Sequence, residues 1–241
     1  MASEAQSKKR KMDDATNAPT LADGEMLDAT EFVDMNKAMH EHDEMREQII
    51  KRSREILKNS KQAIFALHRG AKPDALQLLA KAENVIPELV VIANEQPSLR
   101  QGSLAAAMEE YVEAKCFLHY LDTGRLQRLH DLKDVEREEY LGGVIDFTGE
   151  LARLAIVKAT ARDVAEVERC HKMVNAIFGQ LIQFDFRNGS LRKKFDAVKY
   201  NLRKLENTLY ELSLVTNSGL TVRAQSTEDV AETNDVQAGD D

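Results

Sequence analysis

The sequence contains no tryptophan, two cysteines, four prolines and 5% aromatic residues in a chain of 241. The last proline is Pro97, so no later position carries a ring that would interrupt a helix. Stretches rich in Val, Ile, Thr and aromatic residues, which are typical of strands, are missing as well. These absences favour an all-α protein, and 43% hydrophobic residues are available to form its core.

Several function classes are disfavoured by composition. Cys116 and Cys170 are too few for a disulfide framework or a four-ligand zinc cage, so we interpret them as buried thiols in a reducing compartment. No run approaches the roughly 18 apolar residues that cross a bilayer, and the N-terminal residues are polar, so neither membrane association nor a secretory signal is expected. The net charge of -8 argues against a broadly basic nucleic-acid-binding protein, and any such site would be local.

Composition also divides the chain into three parts. Residues 1–28 form a polar tail with a basic cluster of Lys8, Lys9, Arg10 and Lys11. The cluster is typical of a nuclear import signal, with nucleic-acid contact or a solvated charge run as the alternatives. Residues 217–241 form an acidic tail with six Asp and Glu against one Arg, and we expect both tails to be disordered. Residues 29–216 have helical periodicity throughout.

This central part predicts an antiparallel bundle of about six to seven long helices with short connections. The predicted helices cover roughly residues 32–69, 74–95, 97–121, 135–159 and 163–183, with a sixth beginning after residues 188–190. We expect Pro87 to kink the second helix and Pro97-Ser98 to open the third. Apolar residues of the sixth helix recur at alternating spacings of four and three: Leu191, Phe195, Val198, Leu202, Leu205, Leu209 and Leu212. Such a stripe fits either core packing within one chain or contact with a partner subunit.

Two acidic pairs lie on otherwise apolar stretches of the predicted third and fourth helices. Glu110 and Glu113 are three residues apart and Asp146 and Glu150 are four apart, so each pair shares one side of its helix. Carboxylates that face a bundle need either a cation or a retained proton. Four of them from two helices suit Mg²⁺ or Mn²⁺. The alternative is structural: Glu150 pairs with Arg153, and Glu113 reaches solvent.

With a nucleic acid as substrate, such a site would activate water and stabilise the charge of a phosphorane-like transition state. Motifs of other enzyme classes are missing, including a Gly-rich phosphate loop, an H-E-x-x-H sequence and a nucleophile elbow. The absence of paired histidines argues against a di-iron bundle, which uses Glu-x-x-His motifs. A lone helical histidine such as His68 is more often a packing residue than a ligand.

Four segments of the chain resemble the translin family, and in particular its translin-associated factor X branch. They are SKQAIFALHR at 60–69, EYVEA at 110–114, GVIDFTGEL at 143–151 and SLRKKFD at 190–196. The last segment is shared with translin itself, whereas translin lacks the Asp-x-x-x-Glu arrangement of Asp146 and Glu150. The resemblance covers roughly residues 45–214 and implies the all-helical translin fold.

The resemblance implies a catalytic subunit that joins translin in a barrel-like hetero-octamer. That assembly is a Mg²⁺-dependent endoribonuclease of single-stranded RNA, linked to removal of small-RNA passenger strands and to tRNA fragment processing, with single-stranded DNA as a further ligand. By motif, the catalytic metal-binding residues would be Glu110, Glu113, Asp146 and Glu150, of which Glu113 and Glu150 are the most direct ligands. The resemblance further implies location in both nucleus and cytoplasm.

Phosphate groups of the RNA would be bound by local basic residues. The candidates are Arg46, Arg54, Lys61, Arg100, Arg192, Lys193, Lys194 and Lys199. The alternative for each one is a solvated side chain. For the whole chain, the alternatives are a noncatalytic RNA- or DNA-binding scaffold that partners translin, and an interaction protein whose sixth helix only stabilises its partner.

Overall fold

The computed structural model describes residues 26–187 and 189–217, which fold into helices joined by short connections. The α-helices of these ranges are α1 (Ala29–His68), α2 (Lys72–Glu95), α3 (Ser103–Thr123), α4 (Arg137–Thr160), α5 (Val164–Leu181) and α6 (Ser190–Asn217). Within the same ranges there is no strand, so the prediction of an all-α bundle is confirmed. No helix among them is long and apolar enough to cross a membrane. The predictions for residues 1–25, including the basic cluster Lys8–Lys11, and for residues 218–241 lie outside the described residues.

Internal packing divides the chain after Arg46 into two units. In the first unit the described residues are 26–46, which comprise a short lead and the beginning of α1, with most side chains exposed. The Asp28 carboxylate accepts a hydrogen bond from the Thr30 backbone N–H at 2.9 Å and satisfies part of the helix start. The second unit begins at Glu47 and contains the remainder of α1 together with α2 to α6.

The start of α3 differs from the prediction that Pro97-Ser98 would open this helix. Residues 97–100 form a short 3-10 helix that stops before Gly102. Gly102 has a φ of +88°, which is incompatible with a right-handed helix, so α3 begins one residue later, at Ser103. At the other end Gly124 adopts the left-handed conformation and donates its N–H to the Tyr120 carbonyl at 2.7 Å. Pro87 lies inside α2, which is assigned as one helix through to Glu95.

The core of the second unit is organised around α4, which packs against α3, α5 and α6. Gly142 and Gly143 allow α4 to approach α3 closely. A Cβ atom at Gly143 would lie 2.5 Å from the Glu109 carbonyl oxygen and 2.6 Å from the Val112 Cβ, both too short for a real contact. The two glycines therefore set the distance between the acid-bearing turns of α3 and α4.

The apolar stripe of α6 packs within the chain, since α6 contacts both α4 and α5. The buried members of the stripe are Phe195, Val198, Leu205 and Leu212. A polar contact reinforces this packing, because the Asn201 side-chain amide donates to the Thr148 hydroxyl of α4 at 2.9 Å. These residues of the stripe therefore pack in the core of one chain, and additional contact with a partner subunit stays a prediction.

Candidate functional site: a carboxylate cluster between α3 and α4

The two acidic pairs predicted from sequence spacing meet in one carboxylate cluster, defined as Glu110, Glu113, Asp146 and Glu150. Their mutual proximity appears in their electrostatics. Asp146 and Glu150 of α4 raise the pKa of both Glu110 and Glu113 on α3. Burial is the larger cause of the raised pKa at both residues. The four residues therefore lie within electrostatic range of one another between α3 and α4.

Glu113 is the most buried member of the cluster, with 8% of its surface exposed. No residue in the described ranges donates a hydrogen bond to its carboxyl group or forms an ion pair with it. Burial, together with the neighbouring carboxylates, raises the pKa of Glu113 to about 9, and the ammonium of Lys194 only partly offsets this. At neutral pH the Glu113 side chain therefore keeps its proton unless a cation stabilises the ionised form. The alternative in which this side chain reaches solvent is left with the 8% of its surface that remains exposed.

Glu150 has two basic partners from different parts of the chain. The Arg153 guanidinium lies 3.7 Å from its carboxylate, as the structural alternative anticipated. The second partner is His68, in the last turn of α1, whose Nε2 contacts the Glu150 Oε2. The His68 ring also packs on Phe117, with ring centroids 4.6 Å apart, and its side chain is 8% exposed. His68 is thus a packing residue, as expected, but it also positions a carboxylate of the cluster.

Lys194 reaches the cluster from α6. Its Nζ donates to the Glu109 carboxylate at 2.6 Å and also contacts the carboxylate of Asp146. Lys61 on α1 lies 3.8 Å from the Glu110 carboxylate with its own side chain largely exposed. Two of the basic residues that we predicted to bind RNA therefore lie beside the carboxylates, one half-buried and one at the rim.

The other basic candidates are not gathered at the cluster. Arg100 is buried, and its guanidinium donates to the two carboxylate oxygens of Glu139 at 2.9 and 2.8 Å. This pairing leaves Arg100 unavailable to a phosphate in the present arrangement. The remaining candidates are exposed: Arg46, Arg54, Arg192, Lys193 and Lys199.

The chemistry of the carboxylate cluster fits a hard divalent cation, because carboxylate oxygens are the ligands that Mg²⁺ and Mn²⁺ prefer. The unpartnered carboxyl of Glu113 is the kind of buried group that such a cation would stabilise. Across residues 26–187 and 189–217, no three His, Cys, Asp or Glu side chains are grouped to hold a metal ion as they stand. Asp146 and Glu150 are already engaged by Lys194 and His68, so both would have to reorient to share a cation.

Fold and site together define a class of protein: a helical bundle with a carboxylate cluster between two of its central helices. The family model described as the translin family matches residues 44–215, which is most of the chain. The chain therefore belongs to the translin family.

Individual relatives agree with this assignment. A translin-associated protein X homolog of Schizosaccharomyces pombe is 25% identical over 198 residues, covering 75% of this chain and 86% of that protein. Translin of Gallus gallus is 38% identical over 77 residues, which is 32% of this chain and only 34% of that translin. The solved structure of AfC3PO in complex with duplex RNA has a TM-score of 0.70 at 26% identity, covering 77% of this chain and 97% of that one.

Proposed function

We propose that this chain is the catalytic subunit of a translin-containing hetero-octamer that cleaves single-stranded RNA with Mg²⁺ or Mn²⁺. The observation that carries the proposal is the carboxylate cluster, in which Glu113 is buried and unpartnered beside three further acids. Similarity to AfC3PO, whose structure holds duplex RNA, supports RNA as the substrate class. Relatives that are named translin support translin as the partner.

The proposal extends to substrates and location as the family resemblance implies them. Small-RNA passenger strands and tRNA fragments are the proposed RNA substrates, and single-stranded DNA is a ligand of the same surface. The enzyme would act in both cytoplasm and nucleus, with the cluster Lys8–Lys11 as its import signal.

Within this proposal the carboxylate cluster holds the cation, with Glu113 and Glu150 as its direct ligands. A divalent cation in such a site, when bound, supplies activation of water and stabilisation of negative charge at the phosphate. Glu113 would hold the cation in its ionised form, because a nearby positive charge lowers the pKa of a carboxyl group. Glu110 and Asp146 complete the negative charge of the site.

Two basic side chains, His68 and Lys61, support the carboxylates. His68 holds Glu150 by direct contact, and its own orientation is fixed by packing on Phe117. Partners of this kind commonly orient metal ligands. Lys61, exposed beside Glu110, is placed to receive a phosphate group of the RNA at the rim of the cluster.

The experiment that tests this function is co-expression with a translin partner, followed by cleavage of single-stranded RNA in Mg²⁺ or in EDTA. A complex carrying Glu150→Ala is compared with one carrying Glu206→Ala, which changes an exposed acid on α6. We expect cleavage in Mg²⁺ by the wild-type and Glu206→Ala complexes only. Size-exclusion chromatography and RNA binding confirm that each variant still assembles. Equal cleavage by both variants would show that the activity lies elsewhere.

The alternative is a noncatalytic RNA- or DNA-binding scaffold that partners translin. It is favoured by the contacts of Lys194 with Asp146 and of His68 with Glu150, which give two carboxylates a purely structural use. The scaffold binds RNA in EDTA as well as in Mg²⁺ and never cleaves it. The same assay therefore separates the two functions.

A further inference from the structure

Lys194 extends from α6 to two acids on different helices, Glu109 of α3 and Asp146 of α4. The side chain is 29% exposed, so its ammonium is only partly available to solvent. Its neighbour Lys193 is exposed and has no side-chain partner among the described residues. The contrast shows that the position of Lys194, rather than the general charge of α6, places a cation at the carboxylates.

We propose that Lys194 is an internal counter-cation that occupies the Asp146 side of the carboxylate cluster and competes there with the divalent cation. Its ammonium would stabilise the metal-free chain and would at the same time limit its affinity for metal. The inference rests on the proposed function, because it requires that the cluster takes a divalent cation.

Asp146 would be a ligand of the cation, yet its carboxylate already contacts one positive charge. A divalent cation a few Å from an ammonium is repelled strongly where solvent screening is incomplete. Metal binding must therefore either displace Lys194 from Asp146, towards Glu109, or proceed with reduced affinity. Without metal, the same ammonium offsets the repulsion among the clustered acids.

This role has a signature that a merely structural lysine lacks. If Lys194 only fastened α6 to the rest of the bundle, its loss would weaken both folding and metal binding. A counter-cation predicts opposite changes, namely lower stability without metal and higher affinity for metal. Two properties of the same variants therefore distinguish the two roles.

The test titrates the full-length chain with Mn²⁺, with the free ion measured by electron paramagnetic resonance, and records thermal unfolding in EDTA. Wild-type protein is compared with Lys194→Met, with Lys194→Gln, which keeps a donor for Glu109, and with Lys193→Met as the matched control. We expect Mn²⁺ to bind both Lys194 variants at least tenfold more tightly, and the variants to unfold at lower temperature in EDTA. Lys193→Met should match the wild type in both measurements.

The outcomes separate this inference from the proposed function. If the wild type binds Mn²⁺ but folded Lys194 variants bind it equally or more weakly, the counter-cation role is wrong and the metal site stands. If neither the wild type nor any variant binds Mn²⁺, both proposals fail. Should Lys194→Met not fold, Lys194→Gln carries the comparison. Failure of both to fold even with Mn²⁺ present would also overturn the inference, because the ion is expected to replace the ammonium.

Discussion

Replacing Glu113 with glutamine is expected to stabilise the metal-free chain at neutral and alkaline pH. The pKa of Glu113 is raised from 4.5 to about 9 in the folded chain, mainly by burial. Between these values the folded chain keeps a proton that the unfolded chain has released. The contribution of Glu113 to stability is therefore greatest below pH 4.5 and declines as the pH rises towards 9. Glutamine resembles the protonated side chain but does not titrate, so the decline should disappear.

The expected size of the effect follows from the linkage between pKa and folding. Each pH unit between the two pKa values costs about 1.4 kcal/mol. Since pH 7 lies about 2.5 units above the pKa of the unfolded chain, Glu113→Gln should gain about 3 kcal/mol at pH 7. Near pH 4 the two proteins should have equal stability.

Urea denaturation in EDTA between pH 4 and pH 9 measures this difference as the free energy of unfolding. Glu206→Gln, on the exposed side of α6, is the control and should follow the wild type at every pH. Added Mg²⁺ should stabilise the wild type and not Glu113→Gln, because a ligand stabilises only a folded state that binds it. Parallel pH profiles for the wild type and Glu113→Gln would refute the reasoning, because Glu113 would then not be a buried, unpaired acid.

Three further predictions concern helix packing, a buried ion pair and the contact between His68 and Glu150. Gly143→Ala should lower the free energy of unfolding by about 1–3 kcal/mol, because the added Cβ overlaps α3. Gly179→Ala, with nothing within 4 Å of its added Cβ, should raise the free energy of unfolding by about 0.5–1 kcal/mol. Equal effects of the two substitutions would contradict the close approach of α4 to α3 at Gly143. Arg100→Met leaves the buried Glu139 carboxylate without its cationic partner and should lower the free energy of unfolding by about 3–5 kcal/mol, measured by urea denaturation. A loss below about 1 kcal/mol, the value typical of an exposed ion pair, would contradict this prediction. His68→Phe keeps the packing but loses the Glu150 contact, so RNA cleavage by the assembled complex should fall about 10–100-fold with little change in melting temperature. Unchanged cleavage would exclude His68 from orienting Glu150.

The helices could largely be predicted because the sequence pattern of a helix lies within its own segment of the chain. Periodic apolar residues identified the helices, and the predicted end of the third helix near residue 121 lies within two residues of the observed end of α3 at Thr123. The predicted start of α3 at Pro97 was wrong. Proline is common in the first turn of a helix, but the positive φ of Gly102 interrupts the helical backbone between Pro97 and Ser103. The first residue of a helix depends on the backbone dihedral angles of the residues before it, and the pattern of apolar side chains does not determine those angles.

The carboxylate cluster was predictable in its parts and not in its contacts. Spacings of three and four place two acids on one side of a helix, so each pair could be found from its own segment. The partners come from distant segments: His68 is 82 residues before Glu150, and Lys194 is 85 residues after Glu109. No local pattern connects residues so far apart, which is why Lys194 was predicted only as an RNA contact.

The most direct test of the central claim, that these carboxylates hold a divalent cation, is anomalous diffraction from crystals of the full chain soaked with Mn²⁺. We predict a single region of anomalous density bonded to the carboxylates of Glu113 and Glu150, with Asp146 turned away from Lys194. Density elsewhere, or none at the carboxylate cluster at saturating Mn²⁺, would contradict the account.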